Sequence, residues 1–159
     1  MNAVDDFFKK AQEHDLCTRG AELWGKCKSK KSLVDLALSS FGVDFFCNSV
    51  IQGWGLRPEE IATEFRQFNN GKYTRKGGYT SQLYCLPDED TIRIASTLTL
   101  FISFNGTIYI PQCRIAEVYL CNSRVKITGQ GKAKIYLYNS TIRDSDKSLF
   151  TIKKEVHYE

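Results

Sequence analysis

The sequence predicts an α+β protein: an N-terminal cluster of short helices followed by a small β-solenoid-like sheet with a 17-residue repeat. Three observations point there. Segments 101–110, 118–127 and 135–144 align without a gap at a constant offset of 17 residues, about one rung of a small solenoid, and internal repeats of that length set an architecture. Within each copy apolar positions alternate up to an Asn, as Val118, Leu120 and Asn122 do, then resume with shifted parity at Val125 and Ile127. Alternation marks a half-buried strand, and a parity shift marks a bend. Before residue 70, by contrast, apolar residues fall at helical spacing between capping residues.

Taken in order, Asn2 caps a helix over about 3–14, with Val4, Phe7, Phe8 and Ala11 on one face. A second short helix is expected over 21–28. Ser29 or Ser32 caps a third, apolar at Leu33, Val34, Leu36, Ala37 and Leu38, with Gly42 at its stop. Asp44 opens a fourth through Phe45, Phe46, Val50 and Ile51, closed at Gly53. Arg57-Pro58-Glu59-Glu60 starts the fifth, because Pro suits the first helical position and two acids suit the helix dipole there. Ile61, Ala62, Phe65 and Phe68 follow, and the helix is expected to end near Asn69-Asn70-Gly71.

Next comes a hairpin pattern over 72–84 with its tip at Lys76-Gly77-Gly78. Lys72, Tyr73, Arg75, Lys76 and Tyr79 interleave cations with aromatic rings, the pairing that single-strand nucleic-acid binding uses for phosphates and bases. A two-stranded connector with solvated cations is the structural alternative.

The repeat bends at Asn105-Gly106, Asn122-Ser123 and Asn139-Ser140, residue types that tolerate left-handed or turn geometry. Stacked rungs would set the three Asn in a ladder, whereas an ordinary antiparallel sheet of hairpins would not. Residues 89–94 resemble 105–110 at an offset of 16, a weaker fourth copy. Residues of the opposite parity align too: Ile102, Tyr119 and Tyr136 in one file, Phe104, Cys121 and Tyr138 in another. They predict an outward apolar face, either covered by the helical half or open as a binding surface. The tail, 148–156, is expected to add a terminal strand whose Lys and Glu discourage edge pairing. The resulting division is 1–71 helical, 72–88 connecting hairpin and 89–159 repeat strands, in one compact unit.

Net charge is +4, spread evenly along the chain, which is no clustered footprint of a dedicated nucleic-acid binder. Six Cys occur, none two to four residues from another, and His14 and His157 lie near opposite ends, so the close ligand pairs of a zinc site are missing. Free thiols in a reducing compartment are expected. No stretch reads as a secretion signal or a membrane span, which predicts a cytoplasmic chain. Neither His lies in a motif that activates a Cys, and Asp5-Asp6, Glu59-Glu60 and Asp88-Glu89-Asp90 read as caps or turn charges. Gly53-Trp54-Gly55 lacks the third Gly of a dinucleotide turn. No catalytic, cofactor-binding or metal-binding residue is therefore assigned.

The runs Phe41-Gly42-Val43-Asp44-Phe45-Phe46, Gly53-Trp54-Gly55-Leu56-Arg57-Pro58-Glu59-Glu60-Ile61-Ala62, Asn70-Gly71-Lys72-Tyr73 and Gly78-Tyr79-Thr80-Ser81-Gln82-Leu83-Tyr84-Cys85 resemble an uncharacterised protein family carried by gut-bacterial prophages and mobile elements. The resemblance covers most of 30–145 and implies an accessory role, with no activity to carry over. The functional expectation is a non-catalytic binding protein acting through protein–protein contacts. Its candidate surfaces are the Tyr119/Tyr136/Tyr138 face and the Tyr73 to Tyr79 hairpin, and self-association is possible through an open terminal strand. Sequence-tolerant nucleic-acid binding by the hairpin is the alternative, and an enzyme with an unrecognised site is the third.

Overall fold

The computed structural model describes residues 3–39, 42–66, 71–74, 80–85, 91–93, 100–112 and 117–158. The chain divides into two compact units, Met1–Gln67 and Phe68–Glu159.

The described residues of the first unit form five short helices. Helix α1 spans Ala3–Glu13 and buries Phe7 and Ala11 one turn apart. Helix α2, Thr18–Gly25, begins three residues before the expected start. The reason is Cys17, whose Sγ accepts the Gly20 N–H at 3.3 Å and caps the helix in place of the usual hydroxyl or carboxylate. For α3, Lys30–Ala37, both candidate serines serve: Ser29 Oγ accepts the Ser32 N–H at 3.1 Å, and Ser32 Oγ accepts the Ser29 N–H at 3.2 Å. Helix α4, Val43–Ile51, is followed by Gly53 at φ 81°, a left-handed position that glycine fills without strain.

Helix α5, Pro58–Glu64, has Pro at its first position. The Arg57 N–H donates to Glu60 Oε2 at 3.0 Å and its guanidinium to Oε1 at 3.1 Å. That backbone hydrogen bond above all holds the Glu60 carboxyl below the usual carboxylate range. The helix ends at Glu64 rather than near Asn69, with Phe65 already out of helical geometry at φ −120° and buried. Within this unit Phe7 packs 5.0 Å from Trp24 and 5.9 Å from Trp54, and His14 stacks on Trp54 at 4.3 Å.

The second unit is the solenoid. Its strands are β1 (Gly71–Thr74), β2 (Thr80–Cys85), β3 (Thr91–Arg93), β4 (Leu100–Phe104), β5 (Thr107–Ile110), β6 (Glu117–Cys121), β7 (Arg124–Ile127), β8 (Lys134–Tyr138) and β9 (Thr151–Val156). They form a six-stranded sheet ordered β1-β2-β4-β6-β8-β9 and a three-stranded sheet ordered β3-β5-β7. From β2 to β8 the chain alternates between the two sheets, so each rung gives one strand to each. Among the described residues every strand pairing is parallel except β1 with β2, an antiparallel pair in which Gly71 faces Leu83 and Thr74 faces Thr80. Strand β2 is thus both the second arm of that pair and the first rung of the stack. The parallel ladders exclude the antiparallel-sheet alternative.

Register and sequence period coincide. Phe101 faces Val118, which faces Ile135; Ile108 faces Val125. The weak fourth copy is real as well, since Thr91 faces Thr107 at an offset of 16. Asn105, Asn122 and Asn139 all take positive φ, 68°, 53° and 50°, at the bend between the sheets. The bend is wired from rung to rung: the Asn105 N–H donates to the Cys121 carbonyl at 2.8 Å, and the Asn122 N–H to the Tyr138 carbonyl at 2.9 Å. Ser123 and Ser140 are buried beside it, and the Ser140 hydroxyl donates to the Leu120 carbonyl at 2.8 Å.

One core cluster fills the stack from both sheets, with Phe101, Val118, Leu120, Ile135 and Leu137 from the larger and Ile108, Ile110 and Val125 from the smaller. Full burial of each such side chain contributes about 1.5–3 kcal/mol. At a later corner the period demands a glycine: a Cβ on Gly129 would run into the backbone nitrogen of Gln112, its equivalent one rung earlier. After a short 3-10 turn at Asp144–Asp146, β9 closes the larger sheet. Ile152 faces Ile135, but Lys154 faces Tyr136, so Lys153 is an inserted bulge residue.

Candidate binding surfaces

The hairpin residues come first. Lys72 and Tyr73 stand on β1, in register with Gln82 and Ser81. Arg75, Lys76 and Tyr79 lie outside the described residues.

The tyrosine files are placed in full. Strands in a ladder run about 4.8 Å apart, and that spacing brings Tyr119 and Tyr136 into ring stacking at 4.3 Å with planes 5° apart. Tyr138 lies 6.3 Å from Tyr119, and the Lys154 ammonium sits over the Tyr138 ring at 5.3 Å. Yet the files do not form an open face. Ile102, Phe104, Cys121 and Tyr138 are fully buried and Tyr119 is 5% exposed, so Tyr136 alone of the three tyrosines keeps appreciable surface. Burial, together with the hydrogen bond that the phenol donates to Glu117 Oε2 at 3.0 Å, pushes the Tyr119 hydroxyl well above its ordinary range. It stays protonated as a donor.

Two surfaces remain. One is the edge of β9, the outermost strand of the larger sheet, whose residues alternate between exposed and half-buried. Lys147 braces it, with Nζ 2.9 Å from Glu155 Oε2 and 3.1 Å from Asp144 Oδ1. His157 Nε2 lies 3.2 Å from Glu155 Oε1.

The other is the outward face of the three-stranded sheet. Ile108, Ile110 and Val125 point into the core, so their neighbours Thr107, Tyr109, Arg124 and Lys126 face out. Arg124 Nε donates to Thr107 Oγ1 at 3.0 Å, and Lys126 Nζ lies over the Tyr109 ring at 5.6 Å. Sequence reading missed this face because charge was weighed along the chain. The signal was there in the period, since Tyr109 and Lys126, like Thr107 and Arg124, are one repeat apart.

Chemistry-bearing clusters are sparse. Among the described residues no group of three or more His, Cys, Asp or Glu is placed to hold a metal ion. Cys17, Cys27, Cys47 and Cys121 are free thiols, the last two buried. Burial raises the Cys27 thiol above its ordinary range, which disfavours the reactive thiolate. No helix among the described residues is long and apolar enough to cross a membrane. Comparison of the chain with protein-family models, with curated proteins and with solved structures finds no match.

Proposed function

We propose that the chain is a non-catalytic binding protein, an accessory factor of a phage or mobile element working in the host-cell cytosol, that acts through protein–protein contacts at the edge of β9. The observation that carries this reading is the position of β9: it is the terminal strand of a six-stranded sheet, paired with β8, and its residues alternate between exposed and half-buried. Such an edge can accept a partner strand through main-chain hydrogen bonds. Lys153 and Lys154 give it a preference, because an incoming strand with carboxylates is favoured and a second copy brings lysines to lysines. The mobile-element role is supported by the resemblance carried on 53–62 and 78–85.

The test is affinity capture from host lysate with wild-type bait and with a Lys153→Glu, Lys154→Glu double variant. A partner retained by the first and lost by the second supports the reading. A partner indifferent to the change moves the contact elsewhere. Nucleic-acid binding by the hairpin is the second reading, favoured by the antiparallel β1–β2 pairing, in which Lys72 faces Gln82 and Tyr73 faces Ser81. Arg75→Ala with Lys76→Ala tests it.

A further inference from the structure

We propose that the outward face of the three-stranded sheet binds single-stranded nucleic acid. This goes beyond the protein-contact reading and does not depend on it. Register builds the face. Thr107 on β5 stands beside Arg124 on β7, and Tyr109 beside Lys126; on the far side of β5, Arg93 of β3 faces Tyr109. Arg124 in turn bridges in parallel to Thr141, and Arg143, two residues on, is exposed. The period therefore gathers Arg124, Lys126 and Arg143, all exposed, onto two neighbouring rungs.

Neither β3, β5 nor β7 carries an acid. Asp144, the next acid after Arg143, is paired with Lys147 at 3.1 Å. Phosphate is the complement of such a surface. Adjacent rungs are about 4.8 Å apart and alternate residues along a strand about 6.6 Å, so long cationic side chains can follow an extended backbone rather than one point.

Tyr109 decides between polyanions. It is a partly exposed ring among cations, and every unpaired base has a face to stack on it. A duplex keeps its bases stacked on one another, and an acidic peptide brings nothing that needs the ring. In the free chain the Lys126 ammonium covers that ring; a stacked base would take its place as the ammonium moves to a phosphate.

Fluorescence anisotropy of a labelled oligothymidylate of about 20 nucleotides, at about 50 and 200 mM salt, tests this. Log affinity should fall linearly with log salt, by about 0.7 per phosphate contacted. Arg124→Ala with Lys126→Ala should shallow the slope by about 1.4, and Arg124→Lys with Lys126→Arg should restore it. Tyr109→Ala should weaken binding roughly 5- to 150-fold with the slope unchanged. Circular dichroism of each variant separates these effects from unfolding. The proposal is overturned by no binding at the lower salt, by binding that survives all three substitutions, or by loss confined to Arg75→Ala with Lys76→Ala. Equal affinity for duplex or polyglutamate with no response to Tyr109→Ala overturns it as well.

Discussion

Asn122 and Asn139 stand one rung apart in the same left-handed backbone conformation, φ 53° and 50°, and the Asn122 N–H donates to the Tyr138 carbonyl immediately before Asn139. The bend between the two sheets is therefore a repeated backbone device, and its side chains were chosen for conformation. For most L-residues that conformation costs about 1–2 kcal/mol. Asn122→Ala should lower stability by about 1 kcal/mol, whereas Asn122→Gly should stay within a few tenths. For a unit of this size each kcal/mol moves the melting temperature by roughly 4–8 °C, which thermal denaturation resolves. Equal melting of the two variants would show that the Asn side chain and not the backbone matters.

Much of this was legible in the sequence because parallel register equals sequence offset in a solenoid. Val118 above Phe101 could be read as 17 residues, and so could the Asn ladder. What escaped was whatever depends on a departure from the period or on a third dimension. The bulge at Lys153 leaves no trace in composition, and the β9 segment lacks the Asn of the earlier rungs. Strand β2 faces β4 at an offset of 19, so Leu83 opposite Ile102 falls outside a search at 17. The parity of Tyr119 and Tyr138 was correct, but parity gives a direction and not an exposure. The Cys17 cap was missed because thiols are poor caps in general.

Ser103 breaks the apolar file of Leu120 and Leu137, which it faces along the ladder. Its hydroxyl is buried and has no hydrogen-bond partner among the described residues. A buried hydroxyl in that state costs about 1–3 kcal/mol. Ser103→Ala removes it with little change of volume and should raise stability by about 1 kcal/mol, read as a shift of the urea midpoint at constant m-value. Ser103→Leu would copy the neighbouring rungs. The fully buried Leu120 stands opposite Ser103 in register, however, and a second large residue there should overpack the file by about 1–3 kcal/mol. A Leu variant more stable than the Ala variant would mean the file has room to spare.

Glu155 ties β9 to the preceding turn. The hydrogen bond from Lys147, then that from His157, holds its carboxyl below the usual carboxylate range, and Lys147 is raised above its own ordinary value by Glu155 and then by Asp144. A depressed carboxyl stabilises the fold fully above its unfolded value of about 4.3 and loses that contribution as pH falls through the folded value. The Lys147 contribution has the opposite sense: it is complete below about 10.4 and lost as pH rises through the higher folded value. Glu155→Gln should accordingly be less stable than wild type at neutral pH, and the gap should narrow only below about pH 4.3. Parallel stability curves down to the acid transition would show that the pair contributes nothing in solution.

The bulge at Lys153 has a consequence for assembly. Strict continuation of the period would place Lys154 in the core-facing file of Leu120 and Leu137; the inserted residue carries it instead beside Tyr136, where its ammonium lies over the Tyr138 ring. The same insertion twists the outermost strand and leaves two lysines on it, and both features oppose edge-to-edge pairing with a second, like-charged and like-twisted copy. Deleting Lys153 keeps Lys154 opposite Tyr136 but straightens the strand and removes one charge. The deletion variant should fold and self-associate, seen by light scattering as a mass that rises with protein concentration, while wild type and Lys153→Ala stay at the monomer mass of 18.2 kDa. Association of Lys153→Ala as well would assign the protection to charge. A deletion variant that stays monomeric would show that the edge is protected by something other than its bulge.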